Sequence, residues 1–180
     1  MTNNEIVLSV NECLAGKRES YGPIIRCFQD KIFGLCFHFL GTSPDAEDAA
    51  VEVFIKAYRK LTDYNPQYAF STWLFKIAVN HCIGILRRRK REKDYLETQR
   101  SNPALRIETS SPEVIFFEDT RQTALENAVS SLPVKYRTAL ILKYQQNLSY
   151  RQIGEIMGIP VNTVGSLILR GKRELREVLK

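Results

Sequence analysis

One feature limits the folds open to this chain before any other: nearly every stretch with hydrophobic periodicity repeats at the helical spacing, and that rhythm is lost over Tyr95 to Pro112. No stretch alternates long enough to make a convincing strand. The expected class is all α, as two small helical domains of roughly residues 1–94 and 113–180 joined by a flexible linker at 95–112. That linker, "YLETQRSNPALRIETSSP", gathers Ser, Thr, Asn and two prolines, residue types that favour turns and open chain over helix. At 180 residues the chain suits two such domains, each with only a modest core.

In the first half, the spacing predicts a helix from about Asn4 to Ala15 and a second carrying Ile24, Ile25, Phe28, Ile32, Leu35, Phe39 and Leu40, ended by Gly41. A third has a full start signal. Ser43 can cap it, Pro44 suits the first helical position, and Asp45, Glu47 and Asp48 put negative charge at the positive end of the helix dipole. Its inner stripe is Ala46, Ala49, Ala50, Val53, Ala57 and Leu61, and Asp45, Asp48, Glu52 and Lys56 lie on the exposed flank. Ser71 is expected to cap a fourth helix running through Trp73, Leu74, Ile77, Ala78, Cys82 and Ile85.

Charge is concentrated rather than spread. The net charge is +6, and Arg87, Arg88, Arg89, Lys90, Arg91 and Lys93, set against Glu92, supply five of those charges. Aromatic residues lie just upstream, and aromatic platforms beside a cationic groove hold single-stranded nucleic acid. Trp73, Phe70 and Phe75 also suit a core, so Tyr64, Gln67 and Tyr68, on a polar loop, are the better candidates for meeting a base. The acidic flank of the third helix would repel phosphate and suits a basic protein partner. Dipole compensation accounts for Asp45 and Glu47 but not for Glu52.

The second half contains "LSYRQIGEIMGIPVNTVGSLILRGKREL". Ser149 and Gln152 have capping-box spacing, Leu148 can staple to Ile153, Gly158 can end the helix and Pro160 can begin the next. On that next helix Val164, Ile168, Gly171, Leu175 and Val178 form an inner stripe, and Asn162, Gly165, Ser166, Leu169 and Arg173 face outward, flanked by Thr163 and Arg170. This is a helix-turn-helix outline, whose second helix enters the major groove. An ordinary helical hairpin stays open on the pattern alone. Gly165 and Leu167 reduce the charge expected of a DNA reader, leaving Arg170, Lys172, Arg173, Arg151 and Lys143, so weak binding by this domain in isolation is expected. Leu169 has two readings, a thymine methyl contact or a protein contact. Val114 to Phe117, "VIFF", is expected to be buried in the second domain, with contact to a protein partner as the alternative.

Cys13, Cys27, Cys36 and Cys82 contain no C-x-x-C pair and read as reduced thiols. With only His38 and His81 beside them, they offer no metal spacing and no nucleophile with a base, so neither enzyme, metal nor cofactor is expected. The first residues lack a basic region followed by an apolar run, and "IFGLCFHFL" is too short to span a bilayer; a cytoplasmic protein without a membrane role is expected.

"DAEDAAVEVFIKAYRKL", "FSTWLFKIAVNHCIGILRRRKR" and the second-half stretch from "LPVKYRTALILKY" onward, in this order, resemble the extracytoplasmic-function (ECF) group of bacterial sigma factors, promoter-recognition subunits of RNA polymerase. The resemblance covers nearly the whole chain except the linker. It implies that Asp45, Asp48, Glu52 and Ile55 meet core RNA polymerase, built on its beta and beta-prime subunits. It implies that Tyr64, Asn65, Gln67, Tyr68 and Phe70 hold a base flipped from the minus-ten element, with Asn80, Arg87 and Arg88 on the DNA beside it. Arg151, Asn162, Thr163, Ser166, Leu169, Arg170 and Arg173 would face the minus-thirty-five element. Promoter DNA and an anti-sigma factor complete the implied partners. Departures from the family pattern are Val51 for a common Gln, Gly84 for a common Asp, Gly154 for a usual Ala, and Gly165 and Leu167 for common basic residues. A helix-turn-helix regulator that binds duplex DNA without polymerase is the alternative; a sigma relative turned into a polymerase-bound regulator also stays open.

Overall fold

The structure, a computed structural model, describes residues 1–100 and 120–179. Among these residues there is no strand. The first bundle is α1 (Asn3–Leu14), α2 (Tyr21–Leu40), α3 (Ser43–Arg59) and α4 (Phe70–Arg100). The second is α5 (Thr120–Ser131), α6 (Val134–Leu140), α7 (Tyr150–Met157) and α8 (Val161–Val178). No described helix is long and apolar enough to cross a membrane.

Local chemistry sets the helix starts. Thr2 and Glu5 cap α1 reciprocally, the Thr2 amide donating to the Glu5 carboxylate at 2.7 Å. Gly41, at a φ of 84°, ends α2 in the left-handed region. Thr42, not the expected Ser43, caps α3: its Oγ1 accepts from the Asp45 amide at 3.4 Å, while Ser43 is already helical and Pro44 sits in the first turn. Ser71 does not cap α4 either. The helix opens two residues earlier, at Phe70, where the amides of Thr72 and Trp73 donate to the Ala69 carbonyl. It also continues helical through Arg100, beyond the expected end at Asp94. The rest of the expected linker, 101–112, and Val114 to Phe117 lie outside the described residues.

α2, α3 and α4 close around Ile24, Ile32, Leu35, Val53, Phe70 and Leu74, all without solvent contact. Burying a side chain of that size is worth about 1.5–3 kcal/mol, so this set dominates the bundle's stability. The predicted stripes of α2 and α3 are the buried ones, except that Ile25 is only half-buried. Tyr21 Oη donates to the Phe54 carbonyl at 2.9 Å and pins α2 to α3; the free thiols of Cys36 and Cys82 pack α2 on α4 at 3.7 Å.

In the second bundle the capping box at Ser149 and Gln152 forms, Leu148 is buried, and Gly158 takes a φ of 66° ahead of Pro160. Val164, Ile168 and Gly171 are buried on α8, but Val178, expected on the same stripe, is exposed because it lies at the last turn, beyond the packed part. Two glycines here answer to packing. A Cβ on Gly154 would come 2.8 Å from the Ile159 carbonyl oxygen, so the alanine usual in the resemblance does not fit this turn; a Cβ on Gly171 would press Tyr136 and Leu140 at 3.2 Å. The bundles touch: α7 packs on α4, and the buried Arg137 guanidinium donates to the Phe39 carbonyl at 3.2 Å, to the Leu132 carbonyl at 3.3 Å and to the Ser130 carbonyl.

Candidate nucleic-acid interface

α4 carries the cationic surface. Lys76, Asn80 and Gly84, then Arg87, Arg88 and Arg91, follow one another at helical spacing and are all exposed, so they share one outer face of the helix. Nothing lies within 4 Å of a Cβ built on Gly84, so packing does not require glycine there; its effect is a stripe without the carboxylate that the family pattern suggests. Arg89 leaves the stripe and donates to Asp45 Oδ1 at 2.5 Å, and Lys93 pairs with Glu97 at 3.8 Å. Among the described residues, Arg87, Arg88, Lys90 and Arg91 form no ion pair, which leaves four cations for phosphate.

The loop before α4 corrects one expectation. Tyr64 is 7% exposed and Phe70 is fully buried, so neither presents a ring to solvent. Tyr64 packs edge-on to Phe70, centroids 5.1 Å apart, and against Trp73 at 5.5 Å, and its hydroxyl donates to the Tyr68 carbonyl at 2.9 Å. Burial raises the Tyr64 pKa, keeping that donor protonated. The physical reason is local: the 3-10 turn Leu61–Asp63 directs Tyr64 inward, and its ring completes the aromatic cluster. Tyr68 remains, half-exposed at 51%, its carbonyl accepting from the Tyr64 hydroxyl and its N–H donating to the Asn65 carbonyl. Asn65 and Gln67 are exposed beside it, the Asn65 side chain accepting from the Gln67 amide at 2.9 Å. The loop therefore has a fixed shape with one aromatic face outward.

Distance separates the exposed Tyr68 from the arginines. From Phe70 to Arg87 is seventeen helical steps, about 26 Å at 1.5 Å each. Asn80 stands between, so the arginines and Tyr68 cannot contact one and the same small group.

α3 presents the contrasting surface. Asp48 and Glu52 are exposed with Val51 and Ile55 between and beside them, an acidic and apolar face. Val51, a departure from the family pattern, was not among the predicted contacts; its i, i+4 spacing to Ile55 is the signal that finds it. Asp45, also expected to meet polymerase, is part-exposed and already paired within the bundle. It bonds Thr42 Oγ1 at 2.5 Å and Arg89, and these two, the Thr42 bond first, lower its pKa. Lys56 Nζ meets His81 Nδ1 at 2.5 Å across the α3–α4 seam; burial, then the neighbouring Lys56 charge, lowers the His81 pKa against an opposing pull from Glu52.

On the helix-turn-helix, Asn162, Thr163, Ser166, Leu169, Arg170 and Arg173 are exposed together on α8. Ser166 Oγ donates to the Asn162 carbonyl at 3.4 Å, and Arg151, on α7, pairs with Glu155 at 3.3 Å. Leu167 is half-buried against the core, so it is a packing residue and not a missing cation on the groove face. Gly165 does face outward, beside the Tyr150 ring, over which Lys143 Nζ sits at 5.4 Å. Among the described residues no group of three or more His, Cys, Asp or Glu is placed to hold a metal.

The Sigma-70 region 2 family matches residues 24–92 and the Sigma-70, region 4 family matches residues 122–175. The chain is 33% identical to the ECF RNA polymerase sigma factor SigW of Bacillus subtilis, over 95% of each chain. It is also 33% identical to the RNA polymerase sigma-H factor of Pseudomonas aeruginosa, over 92% of this chain and 89% of the relative. In fold it is similar to CnrH, solved in complex with the cytosolic domain of CnrY, with a TM-score of 0.71 at 17% identity over 99% and 97% of the two chains. Another solved sigma factor, RpoE with the anti-sigma factor NepR from Bartonella quintana, gives a TM-score of 0.68 at 20% identity over 89% and 97%. The chain belongs to the ECF group of the sigma-70 family of RNA polymerase sigma factors.

Proposed function

We propose that this sigma factor docks on core RNA polymerase through Asp48, Val51, Glu52 and Ile55 of α3, and that the union reads and opens a promoter. The observation that carries the reading is the separation of charge on one bundle: an acidic and apolar face on α3, an unpaired cationic stripe on α4. A surface that repels phosphate beside one that attracts it suits two different partners. Residues 1–94 then form the polymerase and minus-ten domain, with Tyr68, Asn65 and Gln67 at a flipped base and Asn80, Arg87 and Arg88 farther along the strand. Residues 113–180 form the minus-thirty-five domain, α8 in the major groove with Asn162, Thr163, Leu169, Arg170 and Arg173 outward. Ser166 and Arg151 join them, the Arg151 side chain 82% exposed beside Glu155 and free to turn to a phosphate.

Magnitudes explain the dependence on polymerase. Opening about four base pairs costs on the order of 5 kcal/mol. One base stacked on Tyr68 returns about 1–3 kcal/mol, so the free protein does not melt a duplex. The activity is recognition rather than catalysis and belongs in the cytoplasm, where polymerase works. An anti-sigma partner is part of the proposal, since NepR was captured on a sigma factor of this fold.

The test is transcription in vitro with purified core polymerase and a promoter library. Initiation is expected to depend on this chain and to be lost in the Asp48→Arg/Glu52→Arg variant. Full initiation by that variant would remove the docking assignment.

A further inference from the structure

Of the glycines on α7 and α8, Gly154 and Gly171 are required by close packing, as described above, but Gly165 is not. A Cβ there would meet only Tyr150 Cε2 at 3.6 Å, an ordinary contact, and the residue lies inside a helix where glycine weakens the fold relative to alanine. One turn on, Leu169 is 72% exposed, more than any other large hydrophobic side chain among the described residues. Gly165 and Leu169 are i, i+4 neighbours and share the outward face with Asn162 and Arg173. Arg170, Lys172 and Arg173 flank this apolar spot, so its surroundings suit a polyanion. A bare backbone position lets a helix approach its ligand closely, and an apolar side chain in the major groove has one partner among the base edges, the thymine methyl group.

We propose that Leu169, with Gly165 leaving room for α8 to sit deep in the groove, reads the methyl group of one thymine in the upstream promoter element. Leu169 is then a specificity residue whose signal is a methyl group rather than a hydrogen bond. The inference rests on the sigma-factor reading and deepens it.

Holoenzyme assembled from core polymerase and this chain is used to select an upstream element from a randomised promoter library. Each thymine of the selected element is then replaced singly by deoxyuridine, which removes only the methyl group. At one thymine the replacement is expected to weaken binding about four-fold, the worth of one buried methyl. Leu169→Ala, an exposed substitution that spares folding, should weaken binding to the thymine promoter and show no further loss on deoxyuridine. Gly165→Ala should raise the melting temperature of the chain while weakening upstream-element binding, opposite signs that a structural role would not give. Selection of an element with no deoxyuridine-sensitive thymine, or sensitivity that persists in Leu169→Ala, overturns the methyl reading and leaves the sigma-factor reading intact. Failure to select any upstream element overturns the methyl reading too, while failure of the holoenzyme to initiate on any promoter strikes the sigma-factor reading itself.

Discussion

His81 shows how one residue can tie the two working helices of the first bundle together. It accepts from Lys56 across the α3–α4 seam, its Nε2 is enclosed without a hydrogen-bond partner, and Arg88 also bears on it, so protonation would set three cations near one another, relieved only by Glu52. Its pKa in the folded chain lies below the ordinary 6.5, which means that the unfolded chain takes up the proton more readily. Stability from this site is complete above about pH 6.5 and declines as pH falls from there through the lower folded value. The melting temperature is therefore expected to drop on acidification below pH 6.5, and His81→Asn should flatten that part of the profile; thermal melts of both proteins across pH 5–7.5 check it. None of this was legible in the sequence, because a lone histidine gives no sign of what a helix twenty-five residues away brings to it. Gly154 was half-legible: it stood out as a departure from the usual alanine, and only the approach of the Ile159 carbonyl explains it.

At the scale of elements, the starts and stops with their own side-chain chemistry could be read directly. The Ser149–Gln152 box, the Gly158–Pro160 turn and the α2 stripe all follow from local spacing. Errors arose where two neighbouring residues offer the same chemistry, as with Thr42 and Ser43, or where periodicity fades. From Arg87 to Thr98 every residue of α4 is exposed, so no apolar stripe marks its extent; charge pairs such as Lys93–Glu97 accompany the helix instead. The loop before α4 was misread at Tyr64 because a polar loop in sequence can fold one ring inward. That division gives an expectation. Tyr64→Phe should lower stability by about 1 kcal/mol through loss of the hydroxyl bond to the Tyr68 carbonyl. Tyr68→Ala should leave the melting temperature nearly unchanged but reduce promoter opening by roughly ten-fold, the value of one stacked base, measured by permanganate reactivity in the holoenzyme.

For the whole molecule, composition revealed that charge is segregated, and the resemblance supplied the proposal of what each surface meets. The contact between bundles was hidden: Arg137 reads as one more cation, yet it is buried and bonded to the Phe39 carbonyl ninety-eight positions away. The cationic stripe on α4 makes a quantitative expectation. Replacing Arg87 and Arg88 with Ala should make the logarithm of holoenzyme affinity less steep against the logarithm of salt concentration, by about 1.8 if they hold duplex phosphates and about 1.4 if they hold a single strand. A salt titration by filter binding or fluorescence separates these outcomes, and an unchanged slope would take both arginines off the DNA.

That α4 is one unbroken helix from Phe70 to Arg100 makes it a protractor as well as a ruler. Inserting a single residue after Leu86, where the packed part of the helix ends, would swing Arg87 and Arg88 about 100° around the axis while advancing them only about 1.5 Å. Every charge would survive the insertion, and a strand stacked on Tyr68 as proposed would find the arginines pointing elsewhere.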